Sequence, residues 1–172
     1  NSEEGDSFTR FAKTGASANA FTSFDRTCYQ FSCSDKFYEN LDILLDFVRH
    51  PYFTEETVRK EQGIIGQEIK MYEDNPGWRV LFNMLGKMYE NHPVKTDIAG
   101  TVESIAQIDD KLLYECYNTF YNPSNMYVCV AGDLNTDEVL AQIEREMKPR
   151  EKVTVASAKF PEVAEVKEHY VE

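Results

Sequence analysis

Apolar residues recur along this chain at two periods, and the switches between them mark its elements. Phe8, Phe11 and Ala12 are spaced as on one side of a helix that Gly15 stops. Residues 16–24 and 27–33 then read as two strands of a hairpin turning around Asp25-Arg26. Phe37, Leu41, Leu44, Leu45 and Val48 mark an amphipathic helix that ends by Pro51, whose ring forbids continuation. Thr54 is a good N-cap, Glu55 and Glu56 suit the positive end of a helix dipole, and Phe53 can staple onto Val58. That helix should run to about Glu73, where Asn75-Pro76-Gly77 breaks it. Val80, Leu81, Met84, Leu85 and Met88 give the next helix over 78–89, followed by a loop from His92-Pro93 to Gly100. A helix over 112–121 with Asp109 or Asp110 as cap, a β-rich run over 125–131 and a helix capped by Thr136 through about Met147 complete the pattern. From Lys148 the sequence turns charged and rich in Val, Ala and Pro, which suits a connector with one edge strand near 163–171.

Hairpin strands separated from a third strand by a long helical block predict an α+β domain, a mostly antiparallel sheet with helices packed on one face. The expected boundaries are a domain over 1–148 and a connector over 149–172. A length of 172 residues with 42% hydrophobic and 13% aromatic content is enough for a core and excludes a disordered tail or a disulfide-stapled miniprotein. Thirty acidic against 18 basic residues give a net charge of -12 with no basic cluster to offset it, which excludes nucleic acid and anionic membranes as partners. No apolar run approaches the ~20 residues that span a bilayer. Cys28, Cys33, Cys116 and Cys129 form no C-x-x-C pair, and Cys28 and Cys33, five apart, fall on opposite faces of one strand. They read as reduced core residues, which fits a cytoplasmic protein. A chain that opens at Asn1 and is at once in periodic sequence reads as a fragment.

Chemistry concentrates between Glu61 and Ile69. A 3-4 spacing puts Val58, Glu61, Ile65, Glu68 and Tyr72 on one stripe, so two carboxylates take positions otherwise given to apolar side chains. A buried carboxylate needs a counter-charge, a metal or a proton, because its desolvation costs several kcal/mol. The alternatives are that the stripe is the wet edge of the helix, or that Arg or Lys partners neutralise the pair. His50, His92 and His169 form no i, i+4 ligand pair, and His50 and His92 each precede a proline, which suits turns or caps. Ser17, Ser23 and Ser32 lack a G-x-S-x-G context, and Gly63 and Gly66 form no phosphate cradle.

Several motifs in order carry a resemblance. Gly15-Ala16-Ser17-Ala18-Asn19-Ala20-Phe21-Thr22-Ser23, then Pro51-Tyr52-Phe53, then Glu61 to Glu68 with Met71-Tyr72-Glu73-Asp74-Asn75-Pro76, then His92-Pro93 and Gly100-Thr101, together resemble the insulinase/pitrilysin family of zinc metallopeptidases. The similarity runs over 6–132 and is nearest to the YmfH-like branch of small two-domain bacterial members. It implies an incomplete insulinase-like N-terminal domain. It also implies that Glu68 is the distal zinc ligand and that Glu61, seven residues earlier, supports the site from behind. Asn19, Ala20 and Phe21 would be the strand that takes up a peptide substrate main chain to main chain; the alternative is an ordinary internal strand.

The family's inverted H-x-x-E-H motif does not occur in the sequence, and the resemblance places it ahead of Asn1. A catalytic zinc needs three protein ligands and an open position, so zinc is expected in the intact protein and not in this fragment, which is expected to be inactive as given. The homologous second half, as a further domain or subunit, is the expected partner beside the peptide, and the uncovered fragment is expected to self-associate. The alternative function is a non-catalytic peptide-binding or scaffold subunit of the same fold.

Overall fold

Asp6 opens the first helix in the computed structural model, which describes residues 6–156, 158–161 and 163. Its side chain accepts from the Phe8 N–H, α1 runs over Ser7–Thr14, and Gly15 closes it in the left-handed region at φ 75°, where a residue without Cβ is favoured. The contacts divide the chain into two compact units, 1–53 with 111–155 and 54–110 with 156–172.

The first unit carries the sheet. Strands β1 (Ser17–Thr22) and β2 (Thr27–Ser32) pair antiparallel with Ser17 opposite Ser32 and Thr22 opposite Thr27. One hairpin face packs on helices: Phe31 stacks on Phe11 of α1 with centroids 5.7 Å apart, and meets Phe37 of α2 (Phe37–Arg49) at 5.9 Å. Tyr29 lies edge-on to Phe47 at 5.3 Å. The buried centre is Leu41 and Leu45 of α2 with Val139 of α7 (Thr136–Glu146), flanked by Phe31, Phe37, Leu134, Ile143 and Met147. Asn40, fully buried, is satisfied by the Thr14 hydroxyl and by the Asp35 and Lys36 carbonyls. The buried Gln142 donates to the Tyr38 carbonyl and the Asp42 carboxylate, tying α7 to α2. Helix α6 (Asp110–Phe120) anchors the end of α2, because the Tyr117 hydroxyl lies 2.8 Å from both the Val48 and Arg49 carbonyls.

The second unit begins with α3 (Glu55–Glu73), where Thr54 and Thr57 cap each other reciprocally. Asn75 caps α4 (Pro76–Met88), with Pro76 in the first turn, where its missing N–H costs nothing. The expected break is therefore the start of the next helix. Tyr72 stacks on Trp78 at 4.7 Å, and the Trp78 indole donates to Asp97 at 2.5 Å, fixing the corner and the loop behind it. A short helix α5 (Val102–Ile105), not expected from the sequence, is held by a Thr101–Ser104 capping pair.

The fold is thus α+β and helix-dominated, and among the described residues its sheet is one small antiparallel pair. The β-rich run over 125–131 forms no ladder: Tyr127 is 97% exposed, Val128 and Val130 are exposed too, and among the described residues no strand lies beside them. β-Branched composition favours a pleated, half-buried surface, and without a neighbour there is none to join. The expected strand over 163–171 falls outside the described residues apart from Val163. The cysteine expectation also changes: all four are free, but Cys116 and Cys129 are exposed and Cys28 and Cys33 only half-buried, so none is a core residue.

Candidate functional site

The outer edge of β1 is set by the turn. The Ser23 N–H donates to the Arg26 carbonyl at 2.8 Å, which makes Ser23–Arg26 a hydrogen-bonded position and Thr22–Thr27 a non-bonded one. Alternation then runs down the hairpin. Phe21 and Asn19 spend their amides and carbonyls on Cys28 and Gln30, while Ala18, Ala20 and Thr22 aim theirs away from β2. Successive outward sets are about 6.8 Å apart, the repeat of an extended peptide. Ala18 and Ala20 lie opposite Phe31 and Tyr29, so their methyls share the helix-covered face, and Asn19 and Phe21 project from the other, where Phe21 is 49% exposed. The Ala20 amide donates to the Oδ1 of its neighbour Asn19 at 2.8 Å.

The hairpin is held in place by a tyrosine pair. The Tyr29 and Tyr121 hydroxyls are 2.6 Å apart, and Tyr121 stacks on Tyr117 at 4.9 Å. Burial, and then the hydrogen bond and charge of Tyr121, hold the Tyr29 phenol well above its ordinary range.

The carboxylates lie on α3 in the second unit. The inward stripe is Val58, Gln62, Ile65, Ile69 and Tyr72, with Val58 and Ile69 buried and the others half-buried, and not the stripe through Glu61 and Glu68. Gln62 fills the polar place on it, donating to the Ile105 and Ile108 carbonyls at 3.1 and 2.8 Å. Glu61 and Glu68 are exposed on its solvent flank, on one side of the helix and about 10 Å apart along its axis at 1.5 Å per residue. They alternate with two apolar residues that sequence periodicity did not single out, Ile64 (45% exposed) and Met71 (61%). The signal was available in their own 3-4 spacing, 61-64-68-71, which forms a second stripe beside the inward one.

The histidines serve structure. His50 pairs with Asp46 at 2.9 Å, and His92 Nδ1 accepts the Val94 N–H at 3.1 Å as a cap; His169 lies outside the described residues. Among the described residues no group of three or more His, Cys, Asp or Glu side chains is gathered closely enough to hold a metal. None of the described helices is long and apolar enough to cross a membrane.

Residues 1–102 match the family model described as Insulinase (Peptidase family M16). The chain belongs to the insulinase family of peptidases. Residues 107–172 match a second model, described as Peptidase M16 inactive domain. An uncharacterised zinc protease of Bacillus subtilis, YmfH, is 51% identical over 174 residues, covering 95% of this chain and 41% of that protein. A second B. subtilis zinc protease, YmxG, is 34% identical over 137 residues, covering 78% of this chain and 33% of that protein. The crystal structure of an M16-like peptidase from Alicyclobacillus acidocaldarius superposes with a TM-score of 0.83 at 43% identity, covering 94% of this chain and 38% of that one. The chain therefore spans less than half the length of these relatives. The family and its YmfH-like branch, expected from the motifs, are those found.

Proposed function

We propose that this chain is the peptide-capturing part of an insulinase-type zinc metalloendopeptidase, and that β1 takes up an extended peptide at Asn19, Ala20 and Phe21, where Ala20 offers its outward main chain and Asn19 and Phe21, whose main chains are spent on β2, offer their side chains. The observation that carries this reading is the β1 edge, which no strand among the described residues pairs with and whose Ala18, Ala20 and Thr22 main-chain groups point away from β2 at the repeat a peptide strand would match. In the same reading Glu68 is one metal ligand, Glu61 supports it, and residues 149–172 are a connector to the second half of the protein. A catalytic zinc needs three protein ligands, and the H-x-x-E-H motif that would bring two of them does not occur in this sequence. The chain alone is accordingly proposed to be inactive, in a soluble cytoplasmic protein.

The test uses the purified chain and an unstructured peptide. Ala20→Pro removes an outward amide without touching the β1–β2 ladder, and peptide binding followed by fluorescence anisotropy should fall by at least about tenfold. Unchanged binding overturns the edge assignment. Elemental analysis after mild chelation should find less than one equivalent of zinc; a full equivalent, or chelator-sensitive peptide cleavage that disappears in Glu68→Gln, overturns the inactive state. The exposed run over 125–131 and the bare β1 edge also favour self-association, which a monomer in sedimentation at high concentration would remove.

A second reading, a non-catalytic peptide-binding or scaffold subunit, is favoured by the match of residues 107–172 to a domain described as inactive. An H-x-x-E-H motif in the full-length reading frame supports the peptidase, and its absence there supports the subunit.

A further inference from the structure

We infer that Asn19 is a self-capping gate on the β1 edge: its side-chain carbonyl holds the Ala20 amide until a docking peptide strand displaces it. The inference rests on the edge-docking reading above and adds a step to it.

The geometry that carries it is local. Of the three outward main-chain amides on β1, at Ala18, Ala20 and Thr22, the central one is engaged by its own neighbour, Asn19 Oδ1, at 2.8 Å. Asn19 lies opposite Gln30 at a hydrogen-bonded position, so its own main chain is spent on β2 and its side chain is free to turn over the edge. Asn is suited to this because its short amide reaches main-chain groups of adjacent residues. The acceptor is exposed, so the contact is weak and can be exchanged for a peptide carbonyl at little cost.

The physical reason for such a device lies in the edge itself. A row of unpaired amides and carbonyls is a template for any extended chain, including a second copy of this one. Capping the middle amide interrupts that row, since an incoming strand must break one contact before its hydrogen bonds with Ala20 can form. Such a strand gains main-chain bonds at Ala18, Ala20 and Thr22 together, whereas a brief encounter gains one. The gate therefore discriminates against short or irregular partners and in favour of extended segments long enough to cover all three positions. Once displaced, the Asn19 amide remains beside the docked backbone.

Two measurements on the intact chain test the gate separately from the docking reading. The first is hydrogen exchange by nuclear magnetic resonance without peptide. The Ala20 amide should exchange more slowly than its intrinsic rate by a margin that Ala18 and Thr22 lack, and Asn19→Ala should remove that margin. An Ala20 amide as unprotected as its two neighbours overturns the cap.

The second measurement is binding of a fluorescein-labelled, unstructured ten-residue peptide of alternating Val and Lys. Asn19→Ala should bind it about threefold tighter, the worth of one exposed neutral hydrogen bond. Asn19→Asp should bind it more weakly than wild type at pH 7, because a carboxylate grips an amide harder, and the difference should close as pH falls below about 4. Ala20→Pro serves as the control on the docking reading. If it binds like wild type, docking at this edge fails and the gate with it. If it loses binding while Asn19→Ala binds equally or more weakly than wild type, docking stands and the gate fails, with the Asn19 amide acting as a direct peptide contact.

Discussion

Replacing Tyr29 by Phe should loosen the hairpin by a calculable amount. The ring stays edge-on to Phe47, so the substitution deletes the 2.6 Å bond between the Tyr29 and Tyr121 hydroxyls and little else. A neutral hydrogen bond is worth about 1 kcal/mol net. Both phenols are half-buried, so water can partly replace the lost partner and the cost should stay near that figure. About 1 kcal/mol corresponds to about fivefold more frequent local opening. Because the chain divides into two compact units, a single denaturation midpoint is a poor readout, and native-state hydrogen exchange of the ladder amides at Asn19, Phe21, Cys28 and Gln30 reads the hairpin directly. Tyr121→Phe should cost about the same, and the double variant no more than either single one, giving a coupling of about 1 kcal/mol. Ladder amides that exchange at the wild-type rate in Tyr29→Phe, or a double variant that costs the sum of the two, would show that the pair does not hold the hairpin.

Two further outcomes follow from packing and charge. Leu41, 1% exposed at the centre of the Leu45–Val139 cluster, should cost about 3 kcal/mol when cut to Ala, whereas Met84→Ala on a surface 48% exposed should cost almost nothing; native-state hydrogen exchange of the α2 and α4 amides, each read within its own unit, that shows equal loss of protection refutes the core assignment. The Tyr29 phenol, held above its ordinary value by burial and by Tyr121, contributes stability that is complete below about pH 10 and is lost as pH rises beyond it; Tyr29→Phe should flatten that alkaline decline, and an ultraviolet titration showing Tyr29 ionising with the exposed tyrosines would refute it.

Local signals made much of the fold legible. The glycine that stops α1, the threonine that caps α3 and the alternation through the hairpin each act within a few residues, and the structure realises them near the expected bounds. Non-local partners decided what the pattern could not. On α3 both Glu61 and Gln62 lie at a helical spacing before Ile65, so periodicity alone admits either on the inner stripe. The carbonyls of Ile105 and Ile108, over forty residues away, select Gln62, because an amide can satisfy two buried acceptors and a carboxylate can satisfy none. The run over 125–131 differs from the hairpin in the same way: its composition states a preference for pairing, and no described strand answers it.

The candidate site is proposed from its motifs, and the exposure of its carboxylates has a physical ground. Two glutamates two turns apart on one side of a helix repel weakly, and burying either without a cation would cost several kcal/mol. Among the described residues no ion pair reaches Glu61 or Glu68, so the favourable place for them in this chain is water. Ile64 and Met71 gain nothing from that exposure, and their place beside the acids, Ile64 between them and Met71 one turn beyond Glu68, argues that the face is shaped to be covered. On the reading proposed above, a cover that brings further metal donors would supply the positive charge and the apolar contact together. Glu68→Leu should then stabilise the isolated α3 face or leave it unchanged, since only the assembled site would need the charge that the substitution removes.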